Sequence, residues 1–183
     1  MIKEIIEESI RTKKKIPVEE VEKAANLMIQ AYKNNKKALI AGNGGSAADA
    51  QHTAGELVGR FKKERKALPA IALTTDTSII TAWSNDYEFN TVFQRQIEAL
   101  GDEEDVFIAI STSGNSKNLI EAIKKAKEKN LKIITLLGKD GGLMKGLGDI
   151  NIIVPSDNTP RVQESHITIL HIICELVEKG VFQ

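Results

Sequence analysis

The 183-residue chain holds one cysteine, one tryptophan and four prolines, and aromatic residues make up only 4% of it. A single cysteine excludes an intrachain disulfide and suits a reducing, cytoplasmic setting. Cys174 itself lies in an apolar helical stretch, where it reads as a small buried hydrophobe. An excess of one charge is also absent, since Lys+Arg and Asp+Glu are both 25. That balance gives no electrostatic footprint for nucleic acid or for an anionic membrane surface. No apolar run approaches the ~20 residues that cross a bilayer. The first residues carry Glu4, Glu7 and Glu8 among their isoleucines and do not read as a signal peptide. These absences point to a soluble protein of one domain, long enough for a sizeable core.

Residues 2–15 have the spacing of an amphipathic helix with Ile2, Ile5, Ile6 and Ile10 on one face. Pro17 starts a second helix through Tyr32, with Val21, Ala24, Ala25, Met28 and Ile29 as its stripe. Two such helices ahead of the first strand exceed what one domain needs as cover, so residues 1–35 are expected to pack against another subunit. From 36 to 183 the chain alternates helical segments with short apolar runs: Ala38–Ala41, Ala70–Leu73, Val106–Ile110, Ile133–Leu137 and Ile150–Val154. Continuously apolar strands separated by helices predict a parallel five-stranded sheet covered on both faces, a doubly wound α/β domain. Ligands of such sheets sit at the C-terminal strand ends, near the point where strand order reverses.

Two loops follow strands directly. Ser111-Thr-Ser-Gly-Asn-Ser116 places hydroxyls and a glycine ahead of a helix over Lys117–Asn130. Free N–H groups and the positive end of the helix dipole make such a junction an anion site, though an ordinary loop with Ser116 as N-cap has the same composition. The other loop, Gly42-Asn-Gly-Gly-Ser46, fits neither G-x-G-x-x-G nor G-x-x-x-x-G-K-[ST], which argues against nucleotide binding. A tight turn bringing backbone N–H groups to a sugar or phosphate remains.

His52 and Glu56 are four residues apart in a helix over Ala47–Gly59, a spacing that serves an exposed pair or a metal pair equally. Arg60, one turn on, could neutralise an anionic substrate or cover the helix end. The last helix, about Arg161–Lys179, carries Gln163 and His171, eight residues or ~12 Å of rise apart. Both can reach one ion only if the helix begins late or two subunits contribute.

Six motifs then occur in order: Gly42-Asn-Gly-Gly-Ser46; His52-x-x-x-Glu56 with Arg60; Asn85-Asp86 with Phe89-Asn90; Ser111–Ser116; Gly138-Lys-Asp-Gly-Gly142; and Arg161-Val-Gln-Glu-Ser-His166 with His171. In this the chain resembles the sugar isomerase (SIS) domain family, most closely its phosphoheptose isomerases, which interconvert sedoheptulose 7-phosphate and D-glycero-D-manno-heptose 7-phosphate. The resemblance spans essentially the whole chain and implies a flavodoxin-like SIS fold behind an N-terminal helical pair. It implies that Ser111, Thr112, Ser113 and Ser116 hold the phosphate, and that Asn43, Gly44, Gly45, Ser46, Asn85, Asp86 and Gln163 line the sugar with Arg60 nearby. Glu56 would move a proton between C1 and C2 through an enediol, with His171 as its acid/base partner. The resemblance also implies one zinc ion per subunit on His52, Glu56, Gln163 and His171, and a homotetramer with active sites between subunits. Pro160 departs from the family, which often has an acid there, and His166 carries no clear catalytic role.

Two alternatives remain open. Initiator-associating proteins that bind DnaA look similar, but those relatives lack the counterparts of Glu56 and His171. A sugar-phosphate-binding regulatory domain would share the fold, yet no DNA-binding segment accompanies it.

Overall fold

The computed structural model describes residues 1–182. The five apolar runs become β1 (Ala38–Gly42), β2 (Ala70–Ala72), β3 (Val106–Ser111), β4 (Lys132–Gly138) and β5 (Ile150–Val154) of one sheet in the order β2-β1-β3-β4-β5. Every neighbouring pair is parallel. This is the flavodoxin-like order, whose reversal lies between β1 and β3.

Burial on both faces explains the unbroken apolar runs. On one face Ile40, Ile108, Ile134 and Leu136 pack with α2 (Val18–Lys33), α3 (Gly45–Val58) and α7 (Thr159–Val181). On the other, Leu39, Phe107, Ala109 and Ile133 meet α5 (Val92–Leu100) and α6 (Lys117–Glu128), with Ile80 and Trp83 of α4 (Thr77–Asp86) at the margin. Short polar-capped stretches in 77–100 thus form two helices that the apolar runs do not announce.

The N-terminal pair divides. The stripe of α2 (Val21, Ala24, Ala25, Met28) is buried inside the subunit. The preceding helix, α1 (Ile2–Lys13), leaves Ile2, Ile5, Ile6 and Ile10 exposed. It docks on α7 through polar contacts instead: Ser9 Oγ donates to Glu164 at 2.8 Å and Arg161 to the Ile5 carbonyl at 2.9 Å. Among the described residues no helix is long and apolar enough to cross a membrane.

Candidate active site

The two loops singled out in the sequence emerge side by side at the strand-order reversal. They are tied by a reciprocal amide pair: Asn43 Nδ2 donates to Asn118 Oδ1 at 3.0 Å, and Asn118 Nδ2 to Asn43 Oδ1 at 2.8 Å. Asn118 belongs to the first turn of α6 and was absent from the sequence reading, since nothing in one sequence pairs it with Asn43. Gly44, at φ +56°, makes the turn into α3.

In the second loop Ser116 does not cap its helix; its Oγ lies 2.9 Å from Ser111 Oγ. Ser111 Oγ also accepts the Gly114 N–H at 3.1 Å, curling the loop on itself. The N–H groups of Ser116, Lys117 and Asn118 find no acceptor among the described residues, because intrahelical bonding begins at Leu119. Ser113 and Thr112 are half-buried beside them. Free donors at a helix start, ringed by hydroxyls, are groups that can hold an anion. The segment after β4 supports it from behind: the Met144 N–H donates to the Gly114 carbonyl at 2.9 Å, and the Leu143 N–H to Asn115 Oδ1 at 3.0 Å. The approach is so close that a Cβ on Gly114 would lie 2.0 Å from the Gly141 carbonyl oxygen.

Helices α3 and α7 meet at three levels in the same chain direction. Beside the first loop, the Gln163 amide lies over Gly45, where a Cβ would stand 2.0 Å from its nitrogen. Two turns on, His52 Nε2 is 3.0 Å from Glu56 Oε1 and 3.4 Å from His171 Nε2. The two imidazoles meet edge to face with centroids 4.9 Å apart, and the Phe61 ring lies 5.6 Å from that of His171. At the far end the chain after α3 closes onto Glu178.

The middle level can hold a cation. His52, Glu56 and His171 each offer a ligand atom, and the three atoms lie within 4.8 Å of one another. Two imidazoles and a carboxylate form a donor set that suits zinc or a similar divalent ion, with room for a further ligand. The final helix starts at Thr159, ahead of Gln163, which removes a late start as the answer to the spacing.

The remaining predicted residues fall around these features. Ser46 is buried in the first turn of α3 and donates its N–H to the Asn43 carbonyl at 3.0 Å. Asn85 and Asp86 end α4, exposed and bonded to each other at 2.9 Å. A cavity of about 160 Å³ opens between Asn43, Gly44, Thr74 and Phe89, and neither Asn85 nor Asp86 lines it. Arg60 is exposed and paired with Glu64 at 2.8 Å, away from the phosphate loop. His166 is fully buried against the Leu137 carbonyl at 3.1 Å, a structural position as expected. Asp49, one turn ahead of His52, was not foreseen. Its Oδ2 is buried without a partner, and burial pushes its carboxyl up to about 6 against the pull of His52.

The sequence profile described as the SIS domain matches residues 2–138. A phosphoheptose isomerase of Geobacter metallireducens is 57% identical over 159 residues, covering 87% of this chain and 84% of that protein. The phosphoheptose isomerase of Sulfurimonas denitrificans is 50% identical over 99% of this chain and 95% of its own. Among solved structures, phosphoheptose isomerase GmhA from Neisseria gonorrhoeae superposes with a TM-score of 0.92 at 46% identity, covering 97% of both chains.

Proposed function

The chain belongs to the SIS domain family, and from that membership we propose that it interconverts sedoheptulose 7-phosphate and D-glycero-D-manno-heptose 7-phosphate as an aldose–ketose isomerase. The observation that carries this reading is the convergence of Glu56, His52 and His171 beside an anion loop at the strand-order reversal. The phosphate sits on Ser111, Thr112, Ser113, Ser116 and the free N–H groups of α6. Anchored there, the far end of the sugar reaches toward α3 and α7. Asn43, Gly44, Gly45 and Gln163 line its path, and Asn85 and Asp86 approach from α4.

Glu56 takes a proton from C1 of the ketose while His171 gives one to the C2 carbonyl oxygen, producing the enediol. Return of a proton to C2 and loss of the O1 proton complete the aldose. His52 orients the Glu56 carboxylate through its 3.0 Å contact. A zinc ion on His52, Glu56 and His171, with Gln163 as the family's fourth ligand, would supply positive charge that stabilises the enediolate oxygens. The exposed isoleucines of α1 support assembly into a homotetramer, and the axial gap between Gln163 and His171 favours sites that draw on more than one subunit. Cytoplasmic residence fits the lone cysteine.

Turnover of sedoheptulose 7-phosphate by the purified protein, as isolated, metal-stripped and zinc-restored, tests the reading. Glu56→Gln is expected to lower kcat by about 10²–10⁴-fold with little change in KM, the range for a lost general base. Wild-type turnover in that variant would remove Glu56 from the role. The initiator-associating and regulatory readings fit less well with relatives of 50% and 57% identity that are isomerases by name. Absence of turnover together with tight DnaA binding would restore the first of them.

A further inference from the structure

The far level between α3 and α7 contains a buried ion pair that the reaction does not use. Arg65 Nε lies 3.1 Å from Glu178 Oε2, with side chains only 2% and 3% exposed. Each partner is also bonded to the backbone that follows the reactive residues of α3. Arg65 donates to the carbonyls of Glu56 at 2.8 Å, Leu57 at 2.9 Å and Gly59 at 3.2 Å. These belong to the end of the helix, where carbonyls lack intrahelical partners. Glu178 accepts the N–H groups of Phe61 at 3.1 Å, Lys62 at 3.1 Å and Lys63 at 2.9 Å. The segment it captures holds Phe61 beside the His171 ring.

We infer that Arg65 and Glu178 are positioning residues, which lock the last turn of α3 to α7 and so hold Glu56 in register with His171. Desolvating two charges offsets most of their attraction, and a buried pair often contributes little net stability against an apolar replacement. What this pair supplies is direction. A guanidinium has several donors in a fixed fork, and here they fasten the Glu56 carbonyl itself while the carboxylate fastens the outgoing chain. Glu56 sits on the last full turn of α3, the part of a helix most free to fray, and Arg65 removes that freedom.

The inference rests on the isomerase reading for its kinetic consequence only, so its test also has a readout that needs no turnover. The double variant Arg65→Met, Glu178→Met replaces the pair with apolar side chains, a change that buried pairs commonly tolerate. Its Tm should fall somewhat, because the backbone groups held by Arg65 and Glu178 lose their partners, and both readouts are taken well below that Tm. Its Zn²⁺ affinity, measured by competition with a chromophoric chelator, should fall 10–100-fold, the usual effect of removing groups that orient ligands. The value of kcat should fall by a similar factor while KM changes less than about threefold, because the phosphate loop lies at the other end of the helix pair. Arg65→Lys keeps the charge but brings one nitrogen in place of three, and should lie between the two.

A folded double variant with wild-type Zn²⁺ affinity and kcat would overturn the inference. So would losses that merely track Tm across the variants. Should the double variant not fold, Arg65→Lys decides the matter on the same two readouts. Failure of the wild type to turn over any sugar phosphate would defeat the isomerase reading, and the Zn²⁺ competition would still judge the positioning role.

Discussion

His166 occupies a site with no solvent contact, its Nε2 against the Leu137 carbonyl and its Nδ1 without any partner. Burial pushes the ring's pKa down to about 4, and the Leu137 carbonyl only partly opposes that. The unfolded chain protonates this histidine near the ordinary value of 6.5 and the folded chain near 4. Its contribution to stability is therefore complete above pH 6.5 and declines as pH falls toward 4, by on the order of 3 kcal/mol. Asp49 acts in the opposite sense: raised to about 6, it favours the fold below its unfolded value and loses that contribution as pH rises through 6. His166→Gln keeps a donor for Leu137 and has no proton to gain. Thermal unfolding between pH 4 and 7.5 should show a flatter curve for that variant than for the wild type; equal slopes would assign the acid sensitivity elsewhere. Two glycines make a second residue-level contrast. A Cβ at Gly45 would meet the mobile end of Gln163, whereas one at Gly114 would meet the Gly141 backbone at 2.0 Å from a residue already at φ +66°. Gly45→Ala should keep its Tm within a few degrees and raise KM as Gln163 is displaced. Gly114→Ala should cost at least about 2 kcal/mol, roughly 4–8 °C in Tm, and lose phosphate affinity as well.

The strands were legible in the sequence as short apolar runs because burial on both faces leaves them few polar positions, Thr135 and Asn151 among them. All five strands appear where those runs lie, and the edge strand β2 is the shortest, with Ile71 partly exposed. Helix α4 was not legible, because it buries no residue fully and has little periodic signal, whereas α5 carries Val92, Phe93, Gln96 and Ile97 on one buried face. The same division holds at the site. His52 and Glu56 share a helix face and could be paired from spacing alone, and Ser111–Ser116 stood out by composition. Groups that meet only through tertiary packing left no comparable mark. Arg65 sits in the charged run Lys62–Lys66, indistinguishable there from solvated neighbours. Glu178 offered one faint cue, a carboxylate four positions after Cys174 on the buried stripe of α7, where a charge requires a partner. Glu178 also carries an acid-side expectation. Burial raises its pKa, but three backbone N–H groups and Arg65 outweigh that and hold the carboxyl below the usual range. Protonating it at low pH should free the chain after α3, so amide exchange at Phe61, Lys62 and Lys63 should quicken while the sheet stays protected; simultaneous loss of protection would count against this.

The fold leaves the isoleucine face of α1 uncovered, and elsewhere it also exposes Ile79, Tyr87, Phe89, Leu100 and Leu143. Our reading places a second copy of the chain on α1. Replacing Ile6 and Ile10 by glutamate should shift the sedimenting species from tetramer toward monomer, at nearly unchanged helical content by circular dichroism. If sites span subunits, kcat should fall with assembly and recover at high protein concentration. A variant that sediments as the wild type would move the interface to another surface. The polar docking of α1 also has a consequence for the order of events during synthesis. Ser9 and its acceptor Glu164 are 155 positions apart, and α7 is the last helix of the fold. Until α7 has been made, α1 lacks the polar partners that fix it on the subunit, and its isoleucines stay exposed even after that docking, until a second copy covers them. Contacts of such long sequence separation form late, and exposed apolar segments invite aggregation meanwhile. The new chain should therefore depend on chaperones until subunits meet, and not merely until its last helix is made.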